Sequence, residues 1–99
     1  MLKKADITFR ANTFLLTGEL DFSNVMSVYQ ISLPHFYHCS QLTFDFSQVE
    51  DSNSAGLALI IEWIKLARRC GKPIHFNAIS NDLMSIAKVA GLESIVLGE

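Results

Sequence analysis

Residues 41–70, QLTFDFSQVEDSNSAGLALIIEWIKLARRC, carry the clearest structural pattern in this 99-residue chain. Residues 41–46 alternate apolar and polar side chains, which is typical of a half-buried strand. The polar residues 47–54 predict a loop. Residues 55–70 then have apolar side chains at helical spacing, and Gly71 suits the end of a helix. A strand, a loop and a helix in this order favour an α/β fold.

The helix predicted over residues 55–70 has an unusually broad apolar surface. Two adjacent stripes on its helical wheel contain Leu57, Ile60, Ile61, Ile64 and Ala67, and Leu59, Trp63, Leu66 and Cys70. Together they cover roughly 220° at about 100° per residue, more than the ~100° that a helix packed on a sheet needs. We therefore expect a partner protein to cover part of this surface. Cys70 is expected to be a buried thiol.

The N-terminal third of the chain predicts a hairpin followed by a helix. Residues 5–10 and 13–17 read as two short strands, the first with a clear alternation of polar and apolar side chains, joined by a two-residue turn. Asp21 or Ser23 can cap the helix that follows. Pro34 is expected to end this helix, because proline disfavours the helical conformation of the residue before it.

The C-terminal third predicts a strand over residues 74–78, a helix between Ser80 and Gly91, and a last strand over residues 94–97. The complete order is β-β-α-β-α-β-α-β. A hairpin followed by alternating helices and strands implies a mixed sheet with parallel strands. Right-handed crossovers would place the helices mainly on one face of this sheet. The length predicts a single domain, residues 1–99.

Composition and charge argue against several classes of function. The net charge of −2 argues against nucleic acid as the main ligand. No lysine or arginine occurs between Arg10 and Lys65, an interval with six acidic residues, so the middle of the chain should prefer a basic partner. The longest uncharged apolar run, residues 55–61, is far shorter than the ~20 residues of a membrane helix. We expect a cytosolic protein without direct membrane insertion.

No motif predicts catalysis, a cofactor or a metal site. His35 and His38 have a spacing that zinc could use, but no second cluster supplies further ligands. Ser54, His75 and Asp45 could be combined into a triad on paper, yet the chain has no Gly-x-Ser-x-Gly sequence. Nucleotide-binding glycine motifs are also missing from the sequence. We therefore predict that the protein is not an enzyme.

The start of the long helix is the strongest candidate for a functional site. Ser52, Asn53 and Ser54 are three consecutive candidate caps, and only one of them can be the N-cap. The others are free to face solvent or a partner. A helix N-terminus favours negative charge by ~0.3–1 kcal/mol at an exposed site. A hydroxyl here could carry a phosphoryl group or could serve only as a cap.

Two segments resemble the signature of the STAS domain family, which is named after sulfate transporters and anti-sigma factor antagonists. Residues 45–47 (DFS) and 53–59 (NSAGLAL) are similar to one conserved segment, and residues 18–21 (GELD) are similar to the other. The order of elements agrees over essentially the whole chain. The resemblance implies the STAS fold, a mixed sheet of four to five strands under a helix layer, without catalysis or cofactor.

Two branches of this family are compatible with the sequence. Residues 18–21, 56–59, 65–67 and 87–88 are similar to the MlaB group, small cytosolic subunits of ABC transporters that move phospholipids for outer-membrane lipid asymmetry. This branch implies docking on the ATPase subunit, and through it on the permease, at the inner membrane. The alternative is an anti-sigma factor antagonist controlled by phosphorylation of Ser54.

The resemblance also implies which residues form the docking surface. Ser54 matches the family's Ser/Thr at the helix start, Asn53 stands where the family usually has Asp, and Asp21 and Asp45 match acidic residues near that turn. The expected docking residues are Ser54, Asn53, Gly56, Leu57, Asp21, Asp45 and Ile61, together with the helix from Asp82 to Ile86. Because Asn carries no charge, docking is favoured over phosphorylation. The sequence leaves open whether the free protein is a homodimer.

Overall fold

The computed structural model describes residues 4–98 of the chain. In chain order its elements are β1 (Asp6–Arg10), β2 (Thr13–Leu20), α1 (Val25–Phe36), β3 (Leu42–Ser52), α2 (Ser54–Cys70), β4 (Ile74–Asn77), α3 (Asn81–Val89) and α4 (Glu93–Leu97). The four strands form one sheet in the order β1-β2-β3-β4. β1 is antiparallel to β2, whereas β2, β3 and β4 are parallel. The predicted mixed α/β sheet is confirmed.

The strand predicted over residues 94–97 is wrong, because this segment is the short helix α4. Val96 is buried and Ile95 is half-buried, and both line a small cavity beside Ile74 and Phe76 of β4. Gly98 ends the helix in the left-handed conformation, with φ of 80°. The apolar run of three residues, 95–97, is compatible with either a strand or a helix, so periodicity could not decide this case.

The polar loop predicted for residues 47–54 is also wrong. β3 continues to Ser52 because β2 pairs with it as far as Leu20, beyond the predicted end of β2 at residue 17. The pairing contains two register shifts, each of which accommodates one extra residue in β3. At the first shift, Asp45 Oδ1 accepts a hydrogen bond from the Ser47 amide at 2.8 Å. The polar sequence therefore forms an irregular strand.

Helix α1 differs from its prediction at both ends. Its N-cap residue is Asn24, and Pro34 lies inside its last turn and does not stop it. The Lys72 ammonium donates a hydrogen bond to the carbonyl of Phe36 at 2.9 Å and thereby satisfies one of the free carbonyls at the helix end. Tertiary contacts thus extend the helix two residues past the proline.

Four phenylalanines form a row across the helix-covered face of the sheet, one from each strand. Phe9, Phe14, Phe44 and Phe76 are register partners from β1 to β4. Neighbouring ring centroids along this aromatic row lie 4.8, 4.5 and 5.5 Å apart. Trp63 of α2 stacks on Phe44 at 4.0 Å. The centre of the core is therefore a sheet-wide aromatic layer that α2 covers.

A buried hydrogen bond joins α2 to α1 above this layer. The indole N–H of Trp63 donates to Ser32 Oγ at 3.0 Å, and the Ser32 hydroxyl donates to the carbonyl of Tyr29 at 2.6 Å. Ser32 is the one buried polar residue of the described chain. The bond satisfies a polar group that would otherwise be costly to bury.

The broad apolar surface of α2 is buried inside the domain. α2 lies between α1 and α3 and packs on β3, so three of its sides have neighbours. Of the two predicted stripes, only Ile61 is half-buried and only Cys70 is exposed. The expectation that a partner covers this surface is therefore wrong, as is the predicted burial of Cys70. The central helix of a layer needs a broad apolar surface for its own fold.

Candidate functional site

The turn between β3 and α2 is organised by Asn53. This residue is extended, with φ of −128° and ψ of −158°, and its Oδ1 accepts a hydrogen bond from the Ala55 amide at 2.8 Å. Its carbonyl accepts a second bond from the Gly56 amide at 2.9 Å. Asn53 is therefore the N-cap among the three candidates. Ser54 is the first residue of the helix, and its side chain is exposed.

This capping pattern limits what the helix start can do with an anion. A phosphate at a helix N-terminus is held by backbone N–H groups that have no partner within the helix. Here the amides of Ala55 and Gly56 already donate to Asn53. A phosphoryl group on Ser54 would have to displace the side chain of Asn53 to use the first of these amides. The geometry therefore presents Ser54 as a contact residue more readily than as an anion site.

The structure brings Asp21 to this turn but leaves Asp45 away from it. Leu20 pairs with Ser52, so Asp21 follows β2 at the edge of the sheet where β3 enters the turn. Asp45 pairs instead with Asn77, seven residues before Ser52 in β3. At ~3.3 Å per residue, this separation is about 23 Å. The expectation that both acids lie near the turn is correct for Asp21 and wrong for Asp45.

The junction between β2 and α1 is fixed by hydrogen bonds around Asp21. Its Oδ1 accepts bonds from the hydroxyl and the amide of Ser23, which lower the pKa of the carboxyl group. Its amide donates to Asn24 Oδ1 at 3.0 Å, and Asn24 Nδ2 donates to the carbonyl of Glu19 at 2.8 Å. This ordered turn holds the side chain of Phe22 in solvent, where it is 68% exposed.

The remaining predicted site residues are mostly internal. Gly56 and Leu57 are buried, and Leu57 is only 6% exposed as part of the core. Ile61 is half-buried. These residues can support the turn by packing, but Leu57 offers almost no surface to a partner. At this turn, the exposed part of the predicted site is thus Asn53 and Ser54, with Asp21 partly accessible. In the predicted part of α3, Asp82 and Ser85 are exposed.

An apolar groove between α1 and α2 adjoins this exposed part. Ser54, Ala58 and Glu62 follow one another at intervals of four residues on α2, and all three are exposed. Ala58 and Glu62 line the groove, which has a volume of about 270 Å³. It is lined by Val25, Met26, Tyr29, Ala58, Leu59 and Glu62, and we call it the α1–α2 groove.

The rim of the α1–α2 groove is unusually apolar for a surface. Met26 lines the groove and is 67% exposed, and the similarly exposed Phe22 lies in the turn that leads into α1. An exposed apolar side chain that lines a groove, as Met26 does, is typical of protein interaction sites. The groove volume lies below the ~300–1,000 Å³ of small-molecule pockets, and this size favours an inserted side chain over a lipid molecule.

The sequence analysis did not predict this groove, because helical spacing in α1 does not show how far α2 covers Met26 and Tyr29. Tyr29 lies half-buried in the groove. Burial first, and then the nearby carboxylate of Glu62, raise the pKa of Tyr29, so its phenol stays protonated. The available signal was Phe22, an aromatic residue in a polar turn directly after Asp21.

Residues 4–98 contain no group of three or more His, Cys, Asp or Glu side chains that could hold a metal ion. The pair His35 and His38 does not form such a group, and His35 instead stacks on Phe9 with ring centroids 4.7 Å apart. Within the same described range, no helix is both long enough and apolar enough to cross a membrane.

Comparison with known structures shows the same fold in two functional settings. The chain is 22% identical to a chain of the Acinetobacter MlaFEDB complex in its ATP-bound Vtrans1 conformation, with a TM-score of 0.71 over 86% of this chain and 90% of that one. It is 15% identical to a putative anti-sigma factor antagonist from Thermotoga maritima, with a TM-score of 0.73 over 94% and 83%.

A third similar structure is also that of an anti-sigma factor antagonist. The anti-sigma factor antagonist SpoIIAA in its unphosphorylated form is 14% identical, with a TM-score of 0.70 over 91% of this chain and 83% of that one. Comparison of the sequence with curated proteins gives no match. The family model described as MlaB, STAS domain matches residues 4–98, and the chain therefore belongs to the MlaB-type STAS domain family.

Proposed function

We propose that this chain is a non-catalytic accessory subunit of an ABC transporter for phospholipids that maintains outer-membrane lipid asymmetry. In this proposal it docks on the ATPase subunit and activates it, and contacts the permease only through that subunit. It is cytoplasmic and peripheral at the inner membrane through its complex. The family match and the similarity to a chain of the MlaFEDB complex support this branch.

The observation that carries the proposal is the exposed α1–α2 groove beside Ser54. Its apolar lining calls for an apolar side chain from the ATPase subunit, and the nearby Phe22 and Met26 extend the apolar contact. Because no lysine or arginine occurs between Arg10 and Lys65, the partner surface around this contact is expected to be basic. A groove of this size between helices suits a single anchoring residue, with Ser54 and Asn53 at the edge of the contact.

The direct test is copurification of the tagged chain with an ATPase and a permease from its native membranes. The variant Ala58→Arg should reduce recovery of the ATPase by more than about tenfold, because a charged side chain would occupy an apolar contact. Ala90→Arg is the matched control, since Ala90 is also exposed but lies at the end of α3. The proposal would be contradicted if the parent chain recovers no ATPase. It would also be contradicted if Ala58→Arg and Ala90→Arg both fold normally and reduce ATPase recovery to the same extent.

An anti-sigma factor antagonist is the second candidate, supported by the exposed hydroxyl of Ser54 and by the fold shared with SpoIIAA. A phosphate on Ser54 would add about −1.5 to −2 charge next to the α1–α2 groove and would weaken contact with an apolar partner. The mass of the intact native protein, measured with and without phosphatase treatment, separates the two functions. A phosphatase-sensitive shift would favour this candidate, and an unshifted mass under all growth conditions would exclude it.

A further inference from the structure

The second half of β3 has an open edge. β4 pairs with β3 only from Leu42 to Asp45, whereas β2 pairs with β3 as far as Ser52. Residues 46–52 therefore have a strand partner on the β2 side and, within the described chain, no strand partner on the other side. An edge of seven residues is about 23 Å long at ~3.3 Å per residue. A row of unpaired backbone groups of this length can bind a further strand.

Among residues 46–50, most side chains are accessible, and they lie on both faces of the sheet. Ser47, Gln48 and Glu50 are exposed, and Val49 is half-buried. Of residues 46–50, only Phe46 is buried, and its ring contacts that of Phe76. An incoming strand would therefore meet polar backbone and polar side chains, which points to recognition through main-chain hydrogen bonds.

The charge around the open edge is acidic. Glu50 is exposed within the segment, and Asp51 follows it in the sequence. No lysine or arginine occurs in β2 or β3. The charge pattern is complementary to a basic strand and repels an acidic one.

We propose that residues 46–52 bind an extended basic segment of another protein, which adds a strand to this sheet beside β3. This site is separate from the α1–α2 groove and does not depend on the transporter role. Pairing between two copies of the chain is disfavoured because each copy would bring Glu50 and Asp51 to the contact. The two register shifts also increase the local twist, which a single flexible segment follows more easily than a second rigid sheet.

The test uses the complete chain, labelled with ¹⁵N, and two synthetic nine-residue peptides. One peptide alternates lysine with valine, and the other alternates glutamate with valine. At ~1 mM, we expect the lysine peptide to slow hydrogen exchange about tenfold or more at those amides of residues 46–52 that do not pair with β2. The amides of β1 (Asp6–Arg10), at the opposite edge of the same sheet, serve as the internal control.

Two charge reversals make the test specific. Glu50→Lys should weaken binding of the lysine peptide about fivefold, whereas Asp6→Lys, the same type of change on β1, should leave it unchanged. The proposal is overturned if exchange at residues 46–52 is not slowed, if both edges are slowed equally, or if the glutamate peptide is as effective. Hydrogen exchange at residues 46–52 could also slow without peptide as the protein concentration rises. This result would identify a second copy of the chain as the occupant and would overturn the proposal.

Discussion

Phe44 and Phe22 show how differently this domain uses the same type of side chain. Phe44 is fully buried in the aromatic row, where it contacts Phe14, Phe76 and Trp63. Phe22 is 68% exposed in an ordered polar turn next to α1. The core is complete without Phe22, so its exposure costs the fold little and leaves apolar area for a partner. The burial of each apolar residue, more than its identity, therefore separates folding from docking.

The largest effect is expected in the core. Phe44→Ala should lower the free energy of unfolding by about 3–5 kcal/mol, because it removes a large side chain from a fully packed layer and leaves a cavity under Trp63. Urea denaturation followed by circular dichroism measures this loss. A change below about 1 kcal/mol would mean that the aromatic row is not the centre of the core.

The capping residue of α2 should have an intermediate effect. Asn53→Ala removes the acceptor of the Ala55 amide and should cost about 1 kcal/mol in the free energy of unfolding. Asn53→Asp keeps the acceptor and adds a negative charge at the helix start, so its stability should equal or slightly exceed that of the parent protein. If denaturation gives the two variants the same stability, the side chain of Asn53 is not a structural cap.

Much of the fold could be predicted because local patterns and tertiary packing agree over most of the chain. The aromatic row is contributed by strands whose apolar residues alternate, and α3 begins at the predicted cap, Ser80. The errors occur where a partner element overrides the local pattern. Residues 47–52 are mostly polar but pair with β2, and α1 continues past Pro34 to Phe36, whose carbonyl accepts a hydrogen bond from Lys72.

The candidate site was predictable only in part for a related reason. A helical wheel identified the broad apolar surface of α2, but not the neighbours α1 and α3 that cover it. The positions of Asp21 and Asp45 depend on strand register, which the sequence motif does not contain. Asn53 and Ser54 were predictable because a helix start is a local feature.

Phe22, the exposed phenylalanine, should affect docking but hardly affect stability. Phe22→Ala is the same substitution as Phe44→Ala, yet it should change the free energy of unfolding by no more than about 0.5 kcal/mol. In the proposed complex it should weaken binding of the ATPase subunit roughly tenfold, as expected for an aromatic anchor. Titration of the purified ATPase subunit onto both proteins measures this difference. Unchanged affinity would remove Phe22 from the docking surface.

The smallest effect is expected for the pH dependence that Asp21 contributes. Hydrogen bonds from Ser23 lower the pKa of its carboxyl group below its ordinary value, so the charged form is stabilised in the folded state. Its contribution to stability is therefore fully present above the unfolded pKa and is lost as the pH falls through the folded pKa. Asp21→Asn should flatten the decrease in unfolding free energy below about pH 4, because the variant has no carboxyl group to protonate at this position. If Asp21→Asn retains the full acid dependence, the hydrogen bonds around Asp21 do not stabilise the turn that exposes Phe22, and the position of this side chain must depend on the packing of α1 alone.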